Sequence, residues 1–303
     1  MLEQVPDAMN KGLVGAACAV VLLLTAVVAT QQGQARPDYQ LTYVDHDGRR
    51  TIVGRVPGST FAPRISPDGL RVTFDTQADG AVWVANLADV ASRRKITTEG
   101  RNRGPLWSGD GSRILYITDH EGAETMFWRA ADGTGDAELL VKPARAPESW
   151  STPLQRFSFI TFKAPGDYDV WTYSLAERRA TPFAALPDSP QHSSRFSPDG
   201  RWLAYVSAES GQLEVYVQPF PGPGAKIKVT KTGGGHPLWA PDQKALFFDN
   251  GGQLFTVGVR TDPTFTVGDA VALPITGFVQ GPLRRQFDLT PDGKRFLMMF
   301  RAE

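Results

Sequence analysis

The chain has 303 residues, of which 41% are hydrophobic and 21% are charged, as in an ordinary soluble globular protein. Lysine plus arginine and aspartate plus glutamate number 32 each, which argues against a nucleic-acid-binding protein, because such proteins are clearly basic. The single cysteine, Cys18, excludes an internal disulfide framework and a zinc cluster built from cysteines.

An apolar segment near the N-terminus predicts a membrane anchor. Residues 12–30 contain no charge and are long enough to cross the hydrocarbon core of a bilayer, about 30 Å, as a helix. The preceding residues 1–11 hold two acids and one lysine, which is unusual for the start of a signal peptide. We therefore favour an uncleaved transmembrane helix or signal-anchor over a signal peptide cleaved at Ala29 or Ala35, followed by a polar linker at residues 31–37.

The first strands are predicted at residues 39–56, where two alternating segments flank an Asp-Gly turn. After them, one pattern recurs with a period of roughly 40–50 residues. In most periods a large apolar anchor precedes an acidic turn such as Ser-Pro-Asp-Gly at residues 197–200, and a second large apolar residue follows nine positions after the anchor. The anchors are Ile65, Trp107, Trp150, Phe196, Trp239 and Leu289. Short strands at this period predict propeller blades of four strands each.

The two ends of the chain predict how the ring of blades closes. The last period stops at Glu303 after two strands, and residues 39–56 supply two strands that have no anchor of their own. Together they make a sixth blade, which removes the open sheet edges. We therefore predict an all-β fold in which residues 38–303 form a six-bladed β-propeller of four-stranded blades. The acidic turns are predicted to be structural, because proline presets φ, aspartate bonds the backbone and glycine takes a positive φ.

Residues 38–303 resemble the TolB-like, WD40-like six-bladed β-propellers. The segment "SPDGRWLAYVSAESGQLEVYVQPFPGPG" from Ser197 is similar in particular to the propellers in the extracytoplasmic region of bacterial transmembrane serine/threonine kinases. The segments "YVDHDGRRTIVGRV" and "RRQFDLTPDGKRFLMMF" fit the same version at the two ends. The resemblance implies the fold and its topology, whereas propellers host many activities. The sequence has no kinase Gly-rich loop, HRD-type motif or DFG motif, so we predict no kinase domain in this chain.

The sequence also lacks the motifs that would indicate another enzyme or a metal site. A serine hydrolase that carries a similar propeller needs a Gly-x-Ser-x-Gly turn, which does not occur. The four histidines are predicted to lie in surface loops or turns without metal-ligand spacing: His46, His120, His192 and His236. Among the inferred channel positions, only Asp288 is acidic. We therefore predict no enzymatic activity, no cofactor and no bound metal.

The charges of the predicted loops point to a binding face. Loops that join the outer strand of one blade to the inner strand of the next should ring one mouth of the channel, and we call this side the loop face. Their basic residues and histidines are Arg101, Arg103, Lys142, Arg145, His192, Lys231, His236, Arg284 and Arg285. Their acids are Glu99, Glu148 and Asp188. Loops further out on the same face are acidic, with Asp75, Asp79, Asp119, Glu121, Glu124, Asp167, Asp169, Glu209 and Asp249.

We expect this arrangement to make a basic centre inside an acidic rim, which would attract a carboxylate or an acidic peptide segment. Arg64 and Arg195 are predicted on inner strands just below the mouth, and Arg103 and Arg285 in solvent-exposed loops. The alternative is that these charges only solvate the loops.

The sequence therefore predicts a non-catalytic membrane-tethered or periplasmic binding module that engages a protein or peptide through the loop face, and no nucleic acid. The candidate site residues are Arg64, Arg101, Arg103, Arg145, His192, Arg195, His236, Arg284 and Arg285. Two alternatives remain, the sensor half of a split serine/threonine kinase system and a propeller hydrolase or lyase that uses the channel. We expect the protein in the bacterial cell envelope, with residues 12–30 as a single-pass inner-membrane anchor or, after cleavage, free in the periplasm.

Overall fold

The structure is a computed structural model that describes residues 38–303 except residues 121, 165, 188, 223 and 282 and the side chain of residue 163. The segments predicted at residues 1–11, 12–30 and 31–37 lie outside the described residues, so the anchor and the linker stay predictions. No helix in the described part of the chain is long and apolar enough to cross a membrane.

Short segments rich in apolar and β-branched residues form the β-strands, and several of them, such as residues 113–118 and 202–207, are buried along nearly their whole length rather than at alternate residues. The first twelve strands are β1 (Tyr39–Asp45), β2 (Arg50–Val56), β3 (Thr60–Ile65), β4 (Arg71–Thr76), β5 (Ala81–Asn86), β6 (Asp89–Lys95), β7 (Asn102–Trp107), β8 (Arg113–Thr118), β9 (Thr125–Ala130), β10 (Glu138–Val141), β11 (Ala146–Ser151) and β12 (Arg156–Ala164). The others are β13 (Asp167–Ser174), β14 (Arg179–Ala184), β15 (Gln191–Phe196), β16 (Trp202–Ser207), β17 (Glu214–Pro219), β18 (Ile227–Lys228), β19 (Gly235–Trp239), β20 (Ala245–Asn250), β21 (Gln253–Arg260), β22 (Thr266–Thr276), β23 (Phe287–Leu289) and β24 (Arg295–Arg301).

These strands form six antiparallel sheets of four strands each, the blades of a propeller. Blades one to five use consecutive strands, and their innermost strands are β3, β7, β11, β15 and β19. Blade six combines both ends of the chain in the order β23-β24-β1-β2. Tyr39 lies opposite Arg301 and Asp45 opposite Arg295, so β1 pairs with β24 along its whole length. The predicted closure of the ring by residues 39–56 is therefore confirmed.

The hydrophobic core lies between neighbouring blades. Ile65 and Phe74 of blade one, for example, are buried in a cluster with Leu297 and Met299 of blade six. Every predicted anchor stands at or next to the end of an innermost strand. A four-stranded sheet exposes two faces, and stacking each face on the next blade removes both from water.

The acidic turns have the geometry that the sequence predicts. Gly200 has a φ of 76°, and the Asp199 carboxylate accepts a hydrogen bond from the Ser197 hydroxyl at 2.6 Å and from the Arg201 N–H at 3.0 Å. These turns join the innermost strand of a blade to its second strand, on the side opposite the loop face, which we call the turn face. Their aspartates are occupied in holding the backbone.

Candidate binding site at the channel mouth

The innermost strands surround a narrow cavity at the loop face, which we call the mouth cavity. Four guanidinium groups line it, those of Arg64 in β3, Arg195 in β15, and Arg284 and Arg285 in the loop before β23. Among its described lining residues, Glu148 of β11 is the one acid. The free volume is about 30 Å³, which is room for about two water-sized groups.

Asp288 is the carboxylate on which the arginines of the channel converge. One of its oxygens accepts a hydrogen bond from Arg285 at 2.9 Å and lies 3.9 Å from the Arg195 guanidinium, while the other accepts from the Ile65 N–H at 2.9 Å. Burial raises the pKa of Asp288, and the charges of Arg195 and Arg64 oppose that rise. Burial also lowers the pKa of Arg64 to about 10, against the attraction of Asp288. Arg64 therefore stays charged at neutral pH inside the channel.

Glu148 binds main-chain N–H groups of the next blade. Its carboxylate accepts from the Ser193 N–H at 2.5 Å, from the Ser194 N–H at 2.7 Å and from the Ser194 hydroxyl. Burial raises the pKa of Glu148, and the hydrogen bonds from Ser194 and Ser193 lower it. The sequence placed Glu148 in a mouth loop and left Asp288 as the single channel acid, and both expectations are wrong. Glu148 stands two residues before the anchor Trp150, a position that belongs to the innermost strand.

Further ion pairs hold the guanidinium groups around the mouth. Arg284 contacts both oxygens of Asp75, at 2.8 and 3.0 Å, and the same carboxylate accepts from the Gly104 N–H at 3.1 Å. Arg103 and Arg145 share Glu124, with 2.8 Å between the guanidinium of Arg145 and that carboxylate. Each pair joins residues from different strands or blades, so the mouth is a network of charges rather than a set of separate loops.

The structure places several candidate residues differently from the sequence prediction. Arg103, His192 and His236 belong to the innermost strands β7, β15 and β19, because these strands begin earlier than the turn-rich sequence suggests. Arg285 lies in a loop but is 5% exposed, so the expectation that it is solvent-exposed is wrong. Its guanidinium donates to the Phe287 carbonyl at 2.6 Å as well as to Asp288.

The other candidates lie where the sequence predicts them. Arg64 and Arg195 belong to innermost strands, and Arg101 and Arg145 to loops of the loop face. Arg101 is exposed, and its N–H donates to the Asp119 carboxylate at 2.8 Å.

Two of the four histidines are buried, contrary to the prediction that all lie at the surface. Nδ1 of His192 lies 2.9 Å from the Ser193 hydroxyl oxygen, and burial lowers the pKa of His192 to about 3, so the ring is neutral. Nδ1 of His236 lies 2.9 Å from an oxygen of Asp249, while its Nε2 is buried without a hydrogen-bond partner among the described residues. No cluster of three or more metal-ligating side chains occurs in the described range.

The expected acidic rim is incomplete. Asp75, Asp169 and Asp249 are buried at the ends of strands rather than exposed in outer loops. Asp79 pairs with Lys95 at 3.3 Å, and Glu124 is taken up by two arginines. Part of the negative charge predicted for the rim is therefore paired with Lys95, Arg103, Arg145 and Arg284.

A wider cavity of about 380 Å³ opens at the turn face. Anchor side chains and turn prolines form its walls, and Arg64, Arg195 and Asp288 also line it. Because Arg64 and Arg195 line the mouth cavity as well, these charged side chains separate the two cavities along the channel.

Comparison with known proteins supports the fold. No family model matches the chain. A segment of 88 residues is 33% identical to the Tol-Pal system protein TolB of Alcanivorax borkumensis, which covers 28% of this chain and 20% of that protein. The chain thus spans about a fifth of the length of this curated relative.

Solved structures resemble the chain over most of its length. A protein of Agrobacterium tumefaciens assigned as TolB superimposes with a TM-score of 0.68 at 18% identity, over 88% of this chain and 99% of that one. An oligogalacturonate lyase in complex with manganese superimposes with a TM-score of 0.56 at 14% identity, over 84% of this chain and 80% of that one. At these identities the likeness shows the fold, which is that of a TolB-like six-bladed β-propeller.

Proposed function

We propose that this TolB-like propeller is a non-catalytic binding module of the bacterial cell envelope, and that a protein or peptide partner places an acidic group in the mouth cavity. The observation that carries the proposal is the convergence of Arg64, Arg195, Arg284 and Arg285 on a cavity with one lining acid. Guanidinium groups match the geometry of carboxylates and keep their charge when partly buried. Keeping several of them out of bulk water is costly unless anions or water meet them.

The balance of charge at the mouth supports an anionic partner. Six guanidinium groups, those of Arg64, Arg103, Arg145, Arg195, Arg284 and Arg285, face four carboxylates, those of Asp75, Glu124, Glu148 and Asp288. Asp249, which bonds to the lining residue His236, is a fifth carboxylate, so these described side chains carry one more guanidinium group than carboxylates. Such an excess at a narrow mouth attracts carboxylates and raises the rate of encounter with an acidic partner.

The proposal includes the cell envelope as the location. Residues 12–30 would anchor the chain once in the inner membrane and leave the propeller outside the cytoplasm. Cleavage near Ala29 or Ala35 would instead release it into the periplasm. Mass spectrometry of the protein from isolated membranes distinguishes the two, because peptides from residues 1–28 persist only in the anchored form.

Capture of an acidic peptide tests the binding function. We expect the full chain, kept in a mild detergent, to bind immobilised polyglutamate but not polyglutamine, and the binding to weaken as salt screens the charges. Arg103→Gln removes one positive charge from the mouth while Glu124 keeps Arg145 as its partner, and should weaken capture at least fivefold. Arg55→Gln, on the exposed face of β2, is the matched control and should bind like the wild type. Capture that does not change with salt or with Arg103→Gln would contradict the proposal.

A propeller hydrolase or lyase is the second candidate function, and the contact between His236 and Asp249 favours it. A carboxylate on Nδ1 orients an imidazole in the way that a general base requires, and His236 borders the mouth cavity. Incubation with oligogalacturonate and with activated esters tests this candidate. Turnover by the wild type that is lost in His236→Asn would replace the binding function with an enzymatic one.

A further inference from the structure

Four of the six innermost strands contain a bulge at the same position, three residues before the anchor. The bulge residues have positive φ angles, 53° at Ala62, 65° at Gly104, 57° at Ser193 and 49° at His236. The pairing with the second strand shifts register at each of these places. A bulge releases a main-chain N–H from the ladder, and all four residues line the mouth cavity.

Side chains of the preceding blade accept hydrogen bonds from three of the four released N–H groups. The acceptor is a carboxylate in blades two and four and an amide oxygen in blade one. The bonds are Gly104 N–H to Asp75 at 3.1 Å, Ser193 N–H to Glu148 at 2.5 Å, and Ala62 N–H to Gln286 at 2.9 Å. The protein therefore shows twice, in its own ring, how a carboxylate binds to a bulge at the mouth.

The bulge at His236 differs from the other three. No side chain of the described residues accepts from its N–H. The residue that corresponds to Glu148 in the preceding blade is Ser194, whose short side chain bonds to Glu148 and Ser158. The residue that corresponds to Asp75 in the preceding blade is Val206, whose side chain has no acceptor, and Asp249 of blade five itself bonds to the imidazole of His236.

We infer that the partner's carboxylate binds to the main-chain N–H of His236 and to the guanidinium groups of the mouth cavity, and we call this the carboxylate site. This inference rests on the proposed function and names the atom to which the acidic group binds. The mouth cavity has room for about two water-sized groups, which suits the two oxygens of a carboxylate. A carboxylate there reproduces the contacts of Asp75 in blade two, which are a bulge N–H and an arginine.

Selective isotope labelling tests the carboxylate site at the His236 N–H directly. The full chain contains four histidines, so labelling histidine with ¹⁵N yields at most four main-chain amide signals, and loss of one in His236→Asn identifies that of His236. Asparagine tolerates the positive φ and can still bond to Asp249. We expect sodium acetate to move the His236 signal to saturation, while sodium chloride at equal ionic strength leaves it in place. No movement, or equal movement with chloride, would overturn the inference, and stronger binding of inorganic phosphate would overturn the choice of a carboxylate.

A built-in carboxylate provides an independent test. Val206→Asp introduces a carboxylate at the position that Asp75 has in blade one, and Val206 packs against blade five, so the His236 signal should be displaced without acetate and should no longer respond to it. Val206→Ala shortens the same side chain without adding an acceptor and should respond like the wild type. A wild-type response in Val206→Asp would place the carboxylate site elsewhere. If Val206→Asp does not fold, the acetate titration of the wild type decides.

The polyglutamate capture distinguishes an error in the carboxylate site from an error in the proposed function. Capture of polyglutamate without an acetate response at His236 would contradict the carboxylate site and leave the binding function supported. An acetate response without capture would support the carboxylate site and contradict an acidic peptide as its ligand.

Discussion

At the scale of the residue, burial sets the charge of His192 and so ties stability to pH. The folded pKa of about 3 lies below the value of about 6.5 in an unfolded chain. Between these values the unfolded chain binds a proton that the folded protein does not, so the free energy of unfolding falls as the pH drops from about 6.5 toward 3. Above pH 6.5 this contribution to stability is complete.

Replacement of His192 by glutamine should remove this dependence on acid. We expect the wild type to lose roughly 2 kcal/mol more than His192→Gln when the pH is lowered from 7 to 5, because about 1.4 kcal/mol accompanies each unit of the depressed pKa. Urea unfolding at both pH values measures the difference. The same loss in both proteins would show that His192 is protonated as easily in the folded chain as in the unfolded one.

The turn glycine Gly200 combines a positive φ with a crowded environment. A Cβ atom there would lie 2.9 Å from Cγ of Leu154 and 3.0 Å from the Ser151 hydroxyl, whereas Gly211, with a φ of 89°, has no atom within 4 Å of the same position. Gly200→Val should therefore lower the free energy of unfolding by roughly 2–3 kcal/mol, and Gly211→Val by about 1 kcal/mol, the cost of the backbone alone. Chemical denaturation compares them, and equal losses would mean that the contacts of the turn do not matter.

At the scale of the element, the tryptophan anchors bind the innermost strands of neighbouring blades. The indole N–H of Trp107 donates to the Arg64 carbonyl at 2.9 Å, and that of Trp239 donates to the Arg195 carbonyl at 3.0 Å. The indole N–H of Trp150 is buried without a hydrogen-bond partner among the described residues. The three anchors therefore share a position but not a bond.

Phenylalanine at each of these anchors separates the hydrogen bond from the packing. Trp107→Phe and Trp239→Phe should each destabilise the protein by about 1 kcal/mol more than Trp150→Phe, because the first two leave a buried carbonyl without its donor. All three lose the same side-chain volume, so each is a control for the others. Equal changes in the free energy of unfolding would contradict a contribution from the bonds.

The strands could be predicted from the sequence because each blade carries its own signals. The apolar anchors, the alternation after them and the acidic turns lie within about ten residues of one another, and local patterns of this kind determine strands and turns. The mouth could be predicted only in part. Glu148 meets Ser194 from another blade, and Asp75 meets Arg284 across the closure of the ring. Such partners, and the bulge at His236, arise from packing between blades and leave no local pattern.

At the scale of the whole molecule, stability depends on a closed ring. Without residues 38–58, β24 loses its partner β1, and the apolar faces that blades one and five turn toward blade six lose part of their cover. We expect this deletion to abolish cooperative unfolding. A circular permutant that joins Glu303 to Asp38 through a short glycine-serine linker and begins at Gln212 should unfold cooperatively, because it keeps every strand pair. Cooperative unfolding of the deletion, followed by circular dichroism, would show that five blades suffice.

The way in which blade six closes also determines how the ring responds to tension. Tyr39 lies opposite Arg301, and the Ala302 N–H donates to the Asp38 carbonyl at 2.9 Å, so both ends of the propeller leave from the same end of one strand pair. A force that pulls these ends apart loads the hydrogen bonds of the pair one after another, as in unzipping. Pulling residue 38 against residue 295 with optical tweezers would load them together in shear and should require a higher force. Blade six should therefore unfold together with the whole ring in heat or denaturant, but should open at a low force when the two ends of the propeller are pulled apart.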